Sequence, residues 1–202
     1  VPISIDTTKA EVARRALEAG ASIINDVSAL RFDPGIAVLA AEFDTPLILM
    51  HMLGEPKSMQ VLPRYDNLIE EILTFLEDAV ERAENQGVSR AKIIVDPGIG
   101  FGKTVAHNLL LIKHLQAFTR LDLPILIGTS RKAFIRKILK DTHDRNIGPD
   151  LPIVENGTQA TVAAAILNGA HIVRVHHVAN TIATVKILDA LMNVQDREGM
   201  GN

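Results

Sequence analysis

The chain has 202 residues, 47% hydrophobic and 22% charged, which suits one domain built around one sizeable core. With 21 Lys and Arg against 24 Asp and Glu the net charge is −3, so bulk electrostatics give no affinity for nucleic acid or an acidic membrane surface. The absence of cysteine excludes disulfides and thiolate ligands and fits a reducing cytoplasmic home, and no apolar run has transmembrane length.

Val1-Pro2-Ile3-Ser4-Ile5-Asp6 reads as the middle of a buried strand over 3–6, so an upstream part of the gene product is expected. A helix over 9–19 stops at Gly20, a strand follows over 22–27, then a helix over 34–42 and a strand over 47–51. After a polar stretch at 53–66 come a helix over 67–86, closed by Gly87, and a strand over 92–96. A helix over 107–118, a strand over 125–128, a helix over 131–140 and a second polar stretch at 141–157 complete the middle. A helix over 158–168, closed by Gly169, a strand over 171–176 and a helix over 180–193 finish the chain; the two polar stretches exceed ordinary joints and are expected to be flaps or spacers.

Regular alternation of strand and helix with short joints predicts a parallel sheet covered by helices, the (β/α) barrel plan. Each predicted strand ends in polar or charged residues: Asp6, Asn25, His51, Asp96, the Ser130-Arg131-Lys132 triplet, and Arg174 with His176. In such a barrel these carboxyl ends converge on one face, so the chemistry is expected there.

Strand alternation places Arg174 and His176 on one face with Val173 and Val175 on the other, and pairs Ser130 with Lys132 if the strand runs that far. His176 and His177 then point apart, which argues against a two-histidine metal clamp. An arginine inside a valine-rich strand needs an anion or dense hydrogen bonding, and Arg131 and Lys132 at a helix start oppose its dipole unless something polar compensates them. Asp6 and Asn25 have a competing reading as helix caps, and Asp96 before Pro97 as a turn former. His51, His107, His114, His143 and His171 show no metal-ligand spacing and read as packing or surface residues.

The segment from Asp96 to Thr104 invites a phosphate-loop reading, but Pro97 stands where the first glycine of that motif is required, and the glycines at 98, 100 and 102 fall at alternate positions. A tight loop that lets backbone approach a planar ligand, with Asp96 at its root, fits better.

The segments SIDTTK (4–9), IINDV (23–27), LMHMLGEP (49–56), DPGIGFGK (96–103), GTSRK (128–132) and RVHHV (174–178) together resemble dihydropteroate synthase. The resemblance implies a (β/α)8 TIM barrel represented here by strands 3–8 with their helices, two βα units lying upstream. It implies a folate-pathway transferase, a target of sulfonamides, that condenses 6-hydroxymethyl-7,8-dihydropterin diphosphate with 4-aminobenzoate and releases diphosphate. Pterin contacts fall to Asp6, Asn25, Asp96, Lys132 and Arg174, the diphosphate to Arg174 and His176, and 4-aminobenzoate to Ser130 and Phe101. Catalysis falls to Lys132, Arg174, His176 and Asp6. Mg2+ is implied as cofactor with its main ligand in the upstream segment, and a homodimer through the late helices. Two further readings are a pterin-binding methyltransferase domain, less compatible with the Ser-Arg-Lys triplet and Arg-x-His ending together, and a truncated barrel without catalysis.

Overall fold

The computed structural model describes residues 1–54, 63–140 and 147–194. Strands β1 (Ser4–Asp6), β2 (Ile23–Asp26), β3 (Leu47–Met50) and β4 (Ile93–Asp96) pair in chain order, all parallel. A parallel bridge from Val95 to Ile125 carries the order on to β5 (Leu126–Ile127), which pairs with β6 (Ile172–Val173). Each strand is followed by a helix: α1 (Ala10–Glu18), α2 (Gly35–Glu42), α3 (Leu68–Asn85), α4 (Val105–Lys113), α5 (Ala133–Leu139) with α6 (Pro152–Leu167), and α7 (Val178–Asn193). This is the α/β plan of consecutive barrel units, and β3 is buried along its whole length because sheet neighbours and helices cover it.

Helix periodicity explains the burial. Along α3, Leu68, Ile72, Leu76, Ala79 and Ala83 recur at three- and four-residue spacing and are buried, while Asn67 caps the start by accepting the Glu70 amide. On α1 the stripe is Ala13 and Leu17. These faces close over Ile24, Leu47, Leu49, Ile93 and Val95 of the sheet in one apolar core.

Register sets the rim. Asp6 lies beside Asn25, and Met50 beside Asp96, at the carboxyl ends of their strands. β1 and β6 are the outer strands of this arc among the described residues.

Several boundaries differ from the sequence expectation. The helix expected at 158–168 begins at Pro152, whose ring presets the first helical φ and whose missing N–H costs nothing there. The helix expected at 107–118 is α4 followed by 3-10 turns over Leu115–Leu121, which end at Asp122 in the left-handed region. The last strand stops at Val173, so strand alternation does not govern Val175. Of the two polar stretches expected to be flaps, 55–62 and 141–146 lie outside the described residues, as does His143.

Candidate functional site

At the carboxyl ends of the strands a cavity of about 340 Å³ opens, lined by Asn25, Val27, Met50, Asp96, Ile99, Phe101, Gly128, Ser130, Lys132, Arg174, Val175 and His176. Seven of the eight expected site residues are among these. The eighth, Asp6, joins them by hydrogen bonds: its Oδ1 accepts from Asn25 Nδ2 at 2.7 Å and its Oδ2 from Arg174 Nη2 at 2.5 Å. The end of β1 and the residue just past β6 thus supply one edge of the site.

Asp6 and Asn25 do not cap helices. Lys9 is the cap position of α1, without a side-chain bond, and the Ala10 amide is met by Asp33 Oδ2 at 2.7 Å. Asn25 Oδ1 is buried and has no hydrogen-bond partner among the described residues. An unmatched buried acceptor costs about 1–3 kcal/mol unless a donor reaches it.

The turn reading of Asp96 is partly right, since its Oδ1 accepts the Gly98 amide at 2.7 Å. Burial nevertheless dominates and pushes the carboxyl up to about 6, against the pull of that amide and of Lys132, Lys103 and Arg174. Burial also lowers the Lys132 amine, with Asp96 opposing the shift and Arg174 adding to it. Lys132 Nζ lies 4.2 Å from the centroid of Phe101, a cation held over an aromatic face.

Glycine makes the loop possible. Gly98 has φ +75°, and a Cβ there would lie 1.8 Å from the His51 carbonyl oxygen; at Gly102, φ +65°, it would lie 2.6 Å from Leu53 Cβ. The loop therefore rests directly on the end of β3. Its lysine does not face a phosphate: Lys103 is 4% exposed, with Nζ 2.9 Å from His51 Nδ1 and 3.1 Å from the Phe101 carbonyl. That excludes the phosphate-loop use of this segment.

Ser130 and Lys132 share the cavity for a different reason from the one alternation gave. The strand ends at Ile127, and Arg131 takes φ +59°, its amide bonded to Thr158 Oγ1 at 3.1 Å and its guanidinium paired with Asp150. That turn sends Arg131 away and leaves its neighbours facing in. Ser130 Oγ and His176 Nδ1 are 2.8 Å apart. Val175, expected on the opposite face from Arg174 and His176, lines the cavity with them because the strand has ended.

His51, expected at the rim by position but read as a packing residue, is buried, edge-on to Phe75 at 4.8 Å. His107 closes a capping box with Thr104, His171 Nδ1 accepts the Ile125 amide, and His114 is exposed at the end of α4. Val27, Met50 and Ile99 give the cavity an apolar wall that sequence reasoning did not single out, because nothing distinguishes them from core residues before the fold is known. Among the described residues no three His, Asp or Glu side chains are placed to hold a metal ion.

The family model described as "Pterin binding enzyme" matches residues 1–176. The chain belongs to the pterin-binding enzyme family. Within it, the chain is 47% identical over 191 residues to the dihydropteroate synthase of Synechocystis sp., covering 95% of this chain and 64% of that protein. It therefore spans just under two thirds of the length of this curated relative. Among solved pterin-binding enzymes, the dihydropteroate synthase of Yersinia pestis in complex with a sulfonamide drug superposes with a TM-score of 0.89 at 38% identity, over 96% of this chain and 68% of that one. The Xanthomonas albilineans dihydropteroate synthase with 4-aminobenzoic acid gives 0.85 at 37% identity, over 96% and 66%.

Proposed function

We propose that this chain carries the pterin site and the diphosphate-releasing groups of a dihydropteroate synthase. The observation that carries the reading is one cavity in which an orphaned amide oxygen (Asn25) and a buried carboxylate (Asp96) stand beside two cations, Lys132 and Arg174. A pterin has two parallel donors on its 2-amino and N3 edge, which a carboxylate accepts as a pair; each such charge-assisted bond contributes about 1.5–3 kcal/mol. Asp96 takes that edge. Asn25 Oδ1 accepts from a neighbouring ring N–H, and Lys132 donates to the 4-oxo and N5 region.

In the reaction the bond between the pterin methylene and diphosphate oxygen breaks, its electron pair leaving with the diphosphate. The 4-aminobenzoate nitrogen forms the new C–N bond and then loses a proton. Catalysis here is stabilisation of separating charge: Arg174 and His176 face the departing anion, and Asp6, fixed by Asn25 and Arg174, favours positive charge on the methylene. Ser130 and the Phe101 ring take 4-aminobenzoate, a site also open to sulfonamides.

Mg2+ belongs to this reading, but the described residues do not fit it on their own, and no step above runs through it. Exposed apolar residues on α7, Ile182, Ile187 and Leu191, with Leu167 at the end of α6, support a homodimer. No described helix is long and apolar enough to cross a membrane. A cytoplasmic location belongs to the same reading, as that of a soluble biosynthetic enzyme. The test is calorimetric titration of the chain with the pterin diphosphate, followed by assay of diphosphate release on adding 4-aminobenzoate. Failure to bind the pterin would reject the proposal.

A further inference from the structure

We propose that Lys103 is a positioning residue for the pterin site, bracing the loop that carries Phe101 from inside the protein. A lysine that is 4% exposed needs a reason to be there, because moving an ammonium out of water costs several kcal/mol unless partners replace the water. Its partners here are specific. Nζ lies 2.9 Å from His51 Nδ1, just beyond the end of β3, and 3.1 Å from the Phe101 carbonyl, on the loop after β4. One side chain thereby ties two adjacent strand ends together beneath the site.

The chemistry of the pair is consistent. Burial, with help from Lys103 and Arg31, holds the His51 imidazole neutral, so Nδ1 is free to accept and Lys103 donates. Burial also pulls the lysine amine down to about 7 against the attraction of Asp96. Charged or neutral, it keeps N–H groups for both acceptors. His51 is itself fixed: its amide donates to the Asp96 carbonyl at 2.9 Å and its ring packs on Phe75.

The consequence lies at Phe101. Its carbonyl is held by Lys103 while its ring faces Lys132 Nζ at 4.2 Å. Gly100 lets the loop pass close to Lys132, since a Cβ there would lie 3.1 Å from its Cδ. Lys103 thus acts on the ligand through Phe101 and Lys132, which it holds in place, and through its attraction to the buried Asp96 carboxylate.

The protein has no tryptophan, so Phe101→Trp places one fluorescent reporter on this loop. In the full chain, adding Lys103→Met to that variant is expected to raise acrylamide quenching about twofold or more and lower anisotropy, with far-UV dichroism unchanged. Identical quenching with and without the lysine overturns the proposal. Should the methionine variant not fold, His51→Phe decides instead, because it keeps the ring against Phe75 and removes only the acceptor. A second arm rests on the proposed pterin site: Lys103→Met in the otherwise unaltered chain is expected to weaken pterin binding about tenfold, the loss of one good hydrogen bond's positioning. Pterin binding unchanged by Lys103→Met counts against Lys103. Absence of pterin binding to the unaltered chain rejects the functional reading, while the quenching arm still decides the role of Lys103.

Discussion

Asp6 and Arg174 are 168 residues apart in the chain and 2.5 Å apart in space. Their pairing joins β1 to the residue just past β6, yet both side chains stay open to solvent, at 46% and 61% exposure. Exposed pairs contribute about 0–1 kcal/mol to stability. Arg174→Ala is therefore expected to shift Tm by only a few degrees while reducing binding of a pterin diphosphate about a hundredfold, since a charge facing an anion is lost. Thermal melts and calorimetry on the same preparation check this. A large stability loss with binding intact would mean that the arginine serves the fold.

Asp96 gives a pH signature. Its folded carboxyl titrates near 6 instead of the ordinary 3.8, so between those values the folded protein holds a proton that the unfolded chain has released. Stability contributed by this group is thus present at low pH and is lost as pH rises through that window, by about 3 kcal/mol at most. Asp96→Asn is expected to remove that decline and to raise stability at pH 7.5 relative to the parent, while eliminating the charged acceptor proposed for the pterin edge. Urea unfolding from pH 4 to 8 is the measurement, and an unchanged slope in the variant rejects it.

Asn25 separates the cost of an orphaned acceptor from its use. Its Nδ2 is committed to Asp6, and its Oδ1 has no partner among the described residues. Asn25→Ala removes both, so the stability change is expected to stay within about 1 kcal/mol as the relieved oxygen offsets the lost bond, while pterin affinity falls about tenfold or more. A fall in stability beyond about 3 kcal/mol with affinity retained would show the amide to be structural.

The rim residues were legible because they break a rule: polar groups at the ends of buried apolar runs need a purpose. Asp6, Asn25, Asp96 and Arg174 announce themselves this way, and the structure brings them to one cavity edge. His51 stands at such an end too, but its contact with Lys103 was not legible, since that contact depends on two strand ends meeting and on the left-handed glycines that fold the loop inward. The start of α6 was hidden because Glu155-Asn156-Gly157 reads as a turn locally. Yet the helix spans it: a Cβ on Gly157 would lie 2.6 Å from Ile135 Cγ2, so close packing of α6 on α5 explains the glycine.

The glycine loop allows an internally controlled comparison. Gly98 and Gly20 both have positive φ, +75° and +103°, so alanine strains the backbone at either position. Only Gly98 also faces a clash, with the His51 carbonyl, which is itself held in place after β3; around Gly20 there is open space. Gly20→Ala is expected to cost about 1 kcal/mol and leave pterin binding alone. Gly98→Ala is expected to cost more than about 3 kcal/mol or to displace the loop and abolish binding. Equal destabilisation by the two, measured by urea unfolding, would mean that the loop has room to move off β3.

The turn that presents Ser130 and Lys132 is held from α6. Thr158 is fully buried; its hydroxyl donates to the Val154 carbonyl at 3.0 Å and accepts the Arg131 amide at 3.1 Å, while Thr161 Oγ1 lies 2.9 Å from Thr129 Oγ1. Arg131 has no glycine's freedom in its left-handed conformation, so the Thr158 bond and the pair with Asp150 are what hold it there. Thr158→Val keeps the volume and removes the hydroxyl, leaving the Arg131 amide without its partner at a cost of about 1–3 kcal/mol. Thr158→Ser keeps the hydroxyl and loses a methyl, a cavity cost of about 1 kcal/mol. Valine is therefore expected to weaken 4-aminobenzoate binding at the proposed site far more than serine does, although both destabilise. If the two variants lose binding in proportion to their stability, the contacts from α6 support the fold and do not aim the site.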